Sequence, residues 1–338
     1  MKHTELLDRR LLIVSGKGGV GKSTVASTLA WMAAGRGKRT LLIELDTVAS
    51  VSRMFGKSPG EPYRETELSD NLAGFYLEGR SGLEEYLHLV LKSGRFVRRI
   101  VRSPIYQYFV NVAPGLKELM AVGKLWDLEQ KALPGSDRPR YDLIVVDTPA
   151  TGHVLSYFQM PMTAADTAKG FVRREAQKVA DLLQDPERTA FNIVTTLAEM
   201  PVNEAIELYE ETRSRLHMPI GCLFVNQVLP PFFQGEEARS YRKWRKDVEE
   251  TSKKGLPRPK GWAQAERTVL ACAESWRKAR SVQEAHLQRL TEACPCERIL
   301  LPVVAADQPG IERIQRLARF MAAPDESLRG SERERSGS

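Results

Sequence analysis

Seven short apolar runs punctuate the chain: LLIVS (11–15), TLLIEL (40–45), LAGFYL (72–77), DLIVVD (142–147), AFNIVTT (190–196), IGCLFVN (220–226) and RILLPVV (298–304). Apolar residues follow one another within each run instead of alternating with polar ones. A strand of that kind is buried on both faces, as in a parallel sheet covered by helices. Most of the intervening segments are long enough for crossover helices. The pattern predicts an α/β fold: a doubly wound, mostly parallel sheet of about seven strands. Two segments exceed what a crossover needs. Residues 81–131 read as three helices, with Pro104 and Pro114-Gly115 as breaks, and residues 232–292 read as helical with a break at Gly255-Leu256-Pro257 and Pro259. Both are taken as helical insertions in one domain spanning 1–323. The remainder, 324–338, is a polar tail expected to be disordered. No internal repeat is present.

The first run leads into SGKGGVGKST (15–24). Gly16, Gly21, Lys22 and Ser23 fill the phosphate-loop pattern G-x-x-x-x-G-K-[ST], between a predicted strand and a predicted helix. Glycines allow backbone N–H groups to curl around phosphates, and the helix N-terminus adds partial positive charge. The predicted cradle is Gly16, Lys17, Gly18, Gly19, Val20, Gly21, Lys22, Ser23 and Thr24. Lys22 is expected to reach the β/γ-phosphates, and the Ser23 hydroxyl to ligate Mg²⁺. Lys17 is a second lysine inside the loop, where phosphate binding requires none. The second run ends at Glu44-Leu45-Asp46, which places Asp46 where open α/β sheets carry their chemistry.

Composition narrows the class without selecting a function. Of 338 residues, 42% are hydrophobic and 28% charged, as in ordinary globular proteins. No apolar run approaches the length of a membrane span. The opening MKHTELLDRR is polar and runs straight into a strand, so no signal peptide is expected. The four cysteines are scattered except for Cys294 and Cys296, which suits a cytoplasmic chain with reduced thiols. The net charge of +7 is concentrated: residues 232–292 carry 14 Lys/Arg against 9 Asp/Glu, and Lys92, Arg95, Arg98, Arg99 and Arg102 form a second cluster. Such clusters are either solvated helix faces or surfaces for an anionic partner.

The G-K-G-G-V-G-K-[ST] form of the loop resembles the deviant phosphate loop of the ArsA, MinD, ParA and nitrogenase-iron-protein class. DLIVVDTPATGHVLSYFQMP (142–161) resembles the second switch of the ArsA and guided-entry (tail-anchored-protein targeting) ATPases, D-T-A-P-T-G-H, with the middle pair exchanged to Pro149-Ala150. PGLKEL (114–119) and PVVAADQPGIERI (302–314) extend the resemblance over about residues 11–322. The layout resembles that of bacterial Get-like paired ArsA-family subunits. The resemblance implies a SIMIBI-type P-loop NTPase fold and a dimeric, Mg²⁺-dependent ATPase whose open–closed switch acts on a protein client. It further implies that Lys17 reaches the partner's phosphates, and that Asp46 orients or deprotonates the attacking water. Asp147 would hold Mg²⁺ through water. Asp147, Thr148, Thr151, Gly152 and His153 would form the switch, with His153 as a switch contact in preference to a general base. Glu199, Asn226, Pro302 and Val303 would contact the nucleoside.

The chain departs from the family in two places. It has no C-x-x-C, and Cys294-Pro295-Cys296 is spaced too tightly for a finger knuckle, so no zinc is expected. The span after the second switch, 161–188, is short and charged where the tail-anchor chaperones carry a Met-rich insertion. Two alternatives remain: an arsenite-efflux ATPase subunit, and a MinD/ParA-type positioning ATPase. The resemblance implies a partner that is either a second copy or a related ArsA-type subunit. A membrane-associated partner, and with it peripheral attachment to a membrane, stays open. A nucleic-acid partner is not expected.

Overall fold

A computed structural model describes residues 3–45, 51–77, 116–233, 235–254, 261–304 and 310–322. Asp46, most of the 81–131 insertion with its basic cluster, and the 324–338 tail lie outside the described residues.

All seven apolar runs are strands: β1 (Leu11–Ser15), β2 (Thr40–Leu45), β4 (Leu72–Leu77), β5 (Leu143–Asp147), β6 (Thr189–Thr196), β7 (Ile220–Val228) and β8 (Glu297–Pro302). The sheet of about seven strands that the sequence predicts is found, with an eighth strand, β3 (Glu65–Ser69), added at its edge. It is the only antiparallel member among the described strands, and the order is β3-β4-β2-β5-β1-β6-β7-β8. β3 was not read from the sequence because an edge strand needs little apolar surface. Of Glu65–Ser69 only Leu68 is buried. Its return into β4 is made by Asp70-Asn71, with Asn71 at φ 58°, a conformation that Asn tolerates better than most residues.

The strands alternate their side chains between two helical layers. Leu11 and Ile13 face one core, and Leu12 and Val14 the other. The first core is closed by α4 (Leu116–Gln130), α5 (Thr151–Thr167), α6 (Gly170–Gln184), α7 (Glu199–Ser214) and the C-terminal end of α9 (Trp262–Ala293). The second is closed by the short α1 (His3–Leu6), α2 (Lys22–Gly35), the short α3 (Val51–Met54) and α10 (Ile311–Ala322). Small residues on α2, among them Ala26, Ala30 and Ala33, are fully buried. They let this helix lie close to the sheet, and so set where its N-terminus sits. The 232–292 insertion comprises α8 (Gly235–Lys253) and α9, on either side of the expected break.

Register aligns the carboxyl ends of the central strands. Val14 pairs with Asp147, Glu44 pairs with the same Asp147, and Thr196 pairs with Asn226. Because β1 sends its connection to β2 on one side while β6 lies on the other, a crevice opens at β1. Open α/β sheets bind ligands at that switch point.

Candidate functional site

The loop between β1 and α2 occupies this crevice. Two glycines are dictated by it. A Cβ on Gly16 would lie 2.1 Å from the Val194 carbonyl oxygen of β6, so any side chain there would push the loop off the sheet. Gly21 sits at φ 96°, and a Cβ would lie 2.4 Å from Asn226 Nδ2. Gly21 is also the cap of α2, whose first turn has no acidic residue and no side-chain cap. The first N–H groups of α2 thus carry the partial positive charge of the helix end without a side-chain cap.

The two lysines behave differently. Lys22 is largely buried and folds back into the loop, its Nζ donating to the Lys17 carbonyl at 3.1 Å. Burial lowers its pKa from the usual lysine value, and Asp147 partly offsets this. The Lys17 side chain instead leaves the loop and forms an ion pair with Glu204 on α7. Beside this pair lies a cavity of about 580 Å³ between the loop, the start of α5 and α7, lined in part by Gly18, Ala150, Leu155 and Glu207. One loop therefore aims one ammonium inward and the other outward.

Asp147 ends β5 and is fully buried. Among the described residues neither carboxylate oxygen accepts a hydrogen bond of full geometry, and only the Ser23 hydroxyl comes close enough to act on it as a donor. Burial raises its pKa to about 7, with Ser23, which faces it, and Lys22 pulling the other way and Glu44 adding to the rise. A buried carboxylate is costly unless something cationic joins it. Asp147 beside the Ser23 hydroxyl is the hard oxygen donor set that Mg²⁺ takes with retained waters, so the residues present fit that ion. Thr148 is fixed by its N–H and hydroxyl, which both donate to the Val14 carbonyl at 3.2 and 3.1 Å. Thr151, Gly152 and His153 open α5; their side chains lie outside the description.

Asn226 is buried at the end of β7 and holds the loop from the far side. Its Nδ2 donates to the Val20 carbonyl at 2.8 Å, and its Oδ1 accepts from the Gln227 N–H at 2.9 Å. The sequence expectation set it against the nucleoside; in the structure its side chain also braces the phosphate loop. Gln227 has φ 58°, so the Oδ1 contact also secures a strained backbone. Asn226→Ala is expected to lower unfolding stability by about 1–3 kcal/mol, checked as a shift in denaturant midpoint at unchanged slope. Glu199 is exposed at the first residue of α7. Pro302 is buried at the end of β8, and the exposed Val303 donates its N–H to the Val228 carbonyl at 3.1 Å.

Two site residues escaped sequence reasoning. Glu44 is buried within β2, and its Oε1 accepts from the Val51 N–H at 3.0 Å. Its signal was a charged residue inside an otherwise apolar run. Glu204 carried no signal, because α7 bears several acidic residues and only the fold selects one of them. The Cys294 thiol is buried at the end of α9, and burial raises its pKa to about 12.

No helix among the described residues is long and apolar enough to cross a membrane. Comparison with known proteins agrees with the geometry. The ArsA ATPase family, described as anion-transporting ATPases, matches residues 9–177, from just before β1 into α6. The ATPase BagA of Mycobacterium tuberculosis is 31% identical over 234 residues, covering 68% of each chain. The ATPase GET3B of Arabidopsis thaliana is 26% identical over 276 residues, covering 66% of this chain and 65% of its own. A putative arsenical pump-driving ATPase of Halobacterium salinarum is 27% identical over 256 residues, covering 69% of this chain but 38% of its own. With a glycine-rich loop at the β1 crevice, two lysines aimed apart and a buried carboxylate at the end of β5, the chain belongs to the ArsA family of ATPases, and it is an ATP hydrolase.

Proposed function

We propose that this chain works as a dimer, two copies or one copy with a related ArsA-type subunit, whose closure around ATP drives a cytoplasmic protein client or a membrane-associated partner. The supporting observation is the direction of Lys17. Its side chain lies on the phosphate loop yet points out of its own cradle. A cation so placed serves a facing subunit better than its own nucleotide.

In this reading Lys22 and the loop N–H groups bind the β/γ-phosphates. Asn226 and Gly21 hold the loop in register, and the nucleoside rests among Glu199, Asn226, Pro302 and Val303. Ser23 and Asp147 would hold Mg²⁺, Asp147 through water. When bound, Mg²⁺ neutralises phosphate charge and templates the leaving group. Asp46 orients the attacking water; its oxygen bonds to the γ-phosphorus as the bond to the β–γ bridging oxygen breaks. Lys17 from the facing subunit stabilises the charge of that transition state. Thr148, Thr151, Gly152 and His153 carry the change from the γ-phosphate to α5.

Light scattering coupled to gel filtration tests this, with the Asp46→Asn variant keeping ATP intact. ATP and Mg²⁺ are expected to give a compact dimer, and ADP a looser dimer or a monomer. Identical profiles in both nucleotides would refute the switch. Stimulation of hydrolysis by arsenite would move the assignment to an efflux subunit.

A further inference from the structure

The α8–α9 insertion carries a feature that ATP hydrolysis does not use. Between the two helices lies a cavity of about 250 Å³. Its apolar wall is a run of aromatic rings. Phe232 meets Phe233 edge-on at 4.7 Å and Trp276 at 5.7 Å, and Phe233 stacks on Tyr241 at 4.4 Å. Phe232 is 40% exposed, so the wall is open to solvent.

The rim carries four arginines, Arg242, Arg245, Arg277 and Arg280, against a single carboxylate, Glu274. Arg245 and Arg280 are paired with Glu249 and Glu284 on their own helices. Arg242 and Arg277 also line the cavity, are exposed, and have no ion pair among the described residues. Arg242 gives its Nε–H to the Ala238 carbonyl at 3.2 Å, and the arginines outnumber Glu274 around the aromatic wall, so the groove keeps a net positive rim with guanidinium N–H groups to offer. Planar forks match carboxylates two bonds at a time, which lysines do not. Aromatic anchors in a concave wall accept apolar side chains.

The groove is also wired to the nucleotide loop. The strap after Asn226 is gripped by α9: Leu229 N–H donates to Gln283 Oε1 at 2.8 Å, Gln283 Nε2 donates to the Gln227 carbonyl at 3.1 Å, and Trp276 Nε1 donates to the Pro230 carbonyl at 2.7 Å. Trp276 therefore belongs both to the aromatic wall and to the strap that continues from the residue bracing Val20.

We propose that this groove docks an acidic amphipathic segment of a protein partner, its apolar stripe against Phe232 and Trp276 and its carboxylates on Arg242 and Arg277. Charge complementarity selects that occupant, and concavity sets a peptide above a bilayer. Docking there bears on the strap, so peptide and nucleotide affinities are linked.

The full chain is titrated into labelled amphipathic helical peptides carrying a Leu/Phe stripe flanked by glutamates, and into versions with glutamine in their place. The glutamate peptides are expected to bind, to weaken with salt, and to lose at least about tenfold on Arg242→Glu/Arg277→Glu, while basal ATP hydrolysis is unchanged. Phe232→Ala should weaken both peptide series. Absence of binding across the glutamate series, or equal binding by the charge-reversed variant, overturns the proposal. So does capture of phosphatidylglycerol vesicles or duplex DNA in place of peptide. Peptide affinity is also measured with and without ATP in Asp46→Asn; no change would refute the link through the strap.

Discussion

Lys17→Ala is expected to bind ATP almost normally and to lose about 10³-fold or more in turnover, the effect of removing a cation supplied in trans. The geometry makes the separation clean. Lys22, not Lys17, points into the cradle, so affinity in the single chain survives. Among the described residues, the Lys17 ammonium is held by a partly exposed pair with Glu204, whose side chains are 30% and 27% exposed. Pairs of that kind contribute about 0–1 kcal/mol. Releasing the lysine to a facing subunit therefore costs far less than the roughly 4 kcal/mol that a 10³-fold rate effect represents. Folding stability of the variant should stay near wild type. Inactive Lys17→Ala mixed with inactive Asp46→Asn should regain partial hydrolysis, because one site of the hybrid keeps its own Asp46 and receives the other subunit's Lys17. No rescue under demonstrated subunit exchange would place Lys17 in cis and sink the trans reading.

Asp147→Asn is expected to do two opposite things: abolish most Mg²⁺-dependent turnover, by at least about 100-fold, and stabilise the nucleotide-free protein. The second follows from the raised pKa. Burial holds the Asp147 pKa up at about 7, well above the usual carboxylate range of about 4. The folded state binds that proton more tightly than the unfolded state. Stability is then fully present below about pH 4 and falls as pH rises toward 7, where the carboxylate must be charged in a buried place. The penalty at pH 8 is at most about 4 kcal/mol, from about 1.4 kcal/mol per pKa unit. Asparagine removes it. Thermal melts in a metal chelator should show the variant more stable at pH 8, with the gap closing toward pH 4. Equal melting at both pH values would mean that Asp147 carries no such cost.

Much of the fold was legible because burial on both faces writes itself into short uninterrupted apolar runs. Those runs are β1, β2 and β4–β8, and the loop they frame was readable because glycine has no substitute at Gly16 and Gly21. The edge strand β3 escaped since solvent covers one side of it, and ETELS needs only Leu68 to be apolar.

By itself, the sequence determined which residues could serve: a phosphate loop with two lysines, strand-end carboxylates, and a basic insertion. Only the tertiary structure decided what they do to one another. Strand order is not written locally, because any parallel strand can pair with any other. Yet it is the placement of β5 beside β1 that sets Asp147 against Lys22 and Ser23 and buries its carboxylate there. Asn226 braces Val20 across roughly two hundred residues of sequence. Glu204 captures Lys17 because α7 passes beside the loop, while its acidic neighbours on that helix do not. Distance in space, not spacing along the chain, fixes the energy of a charge or a hydrogen bond.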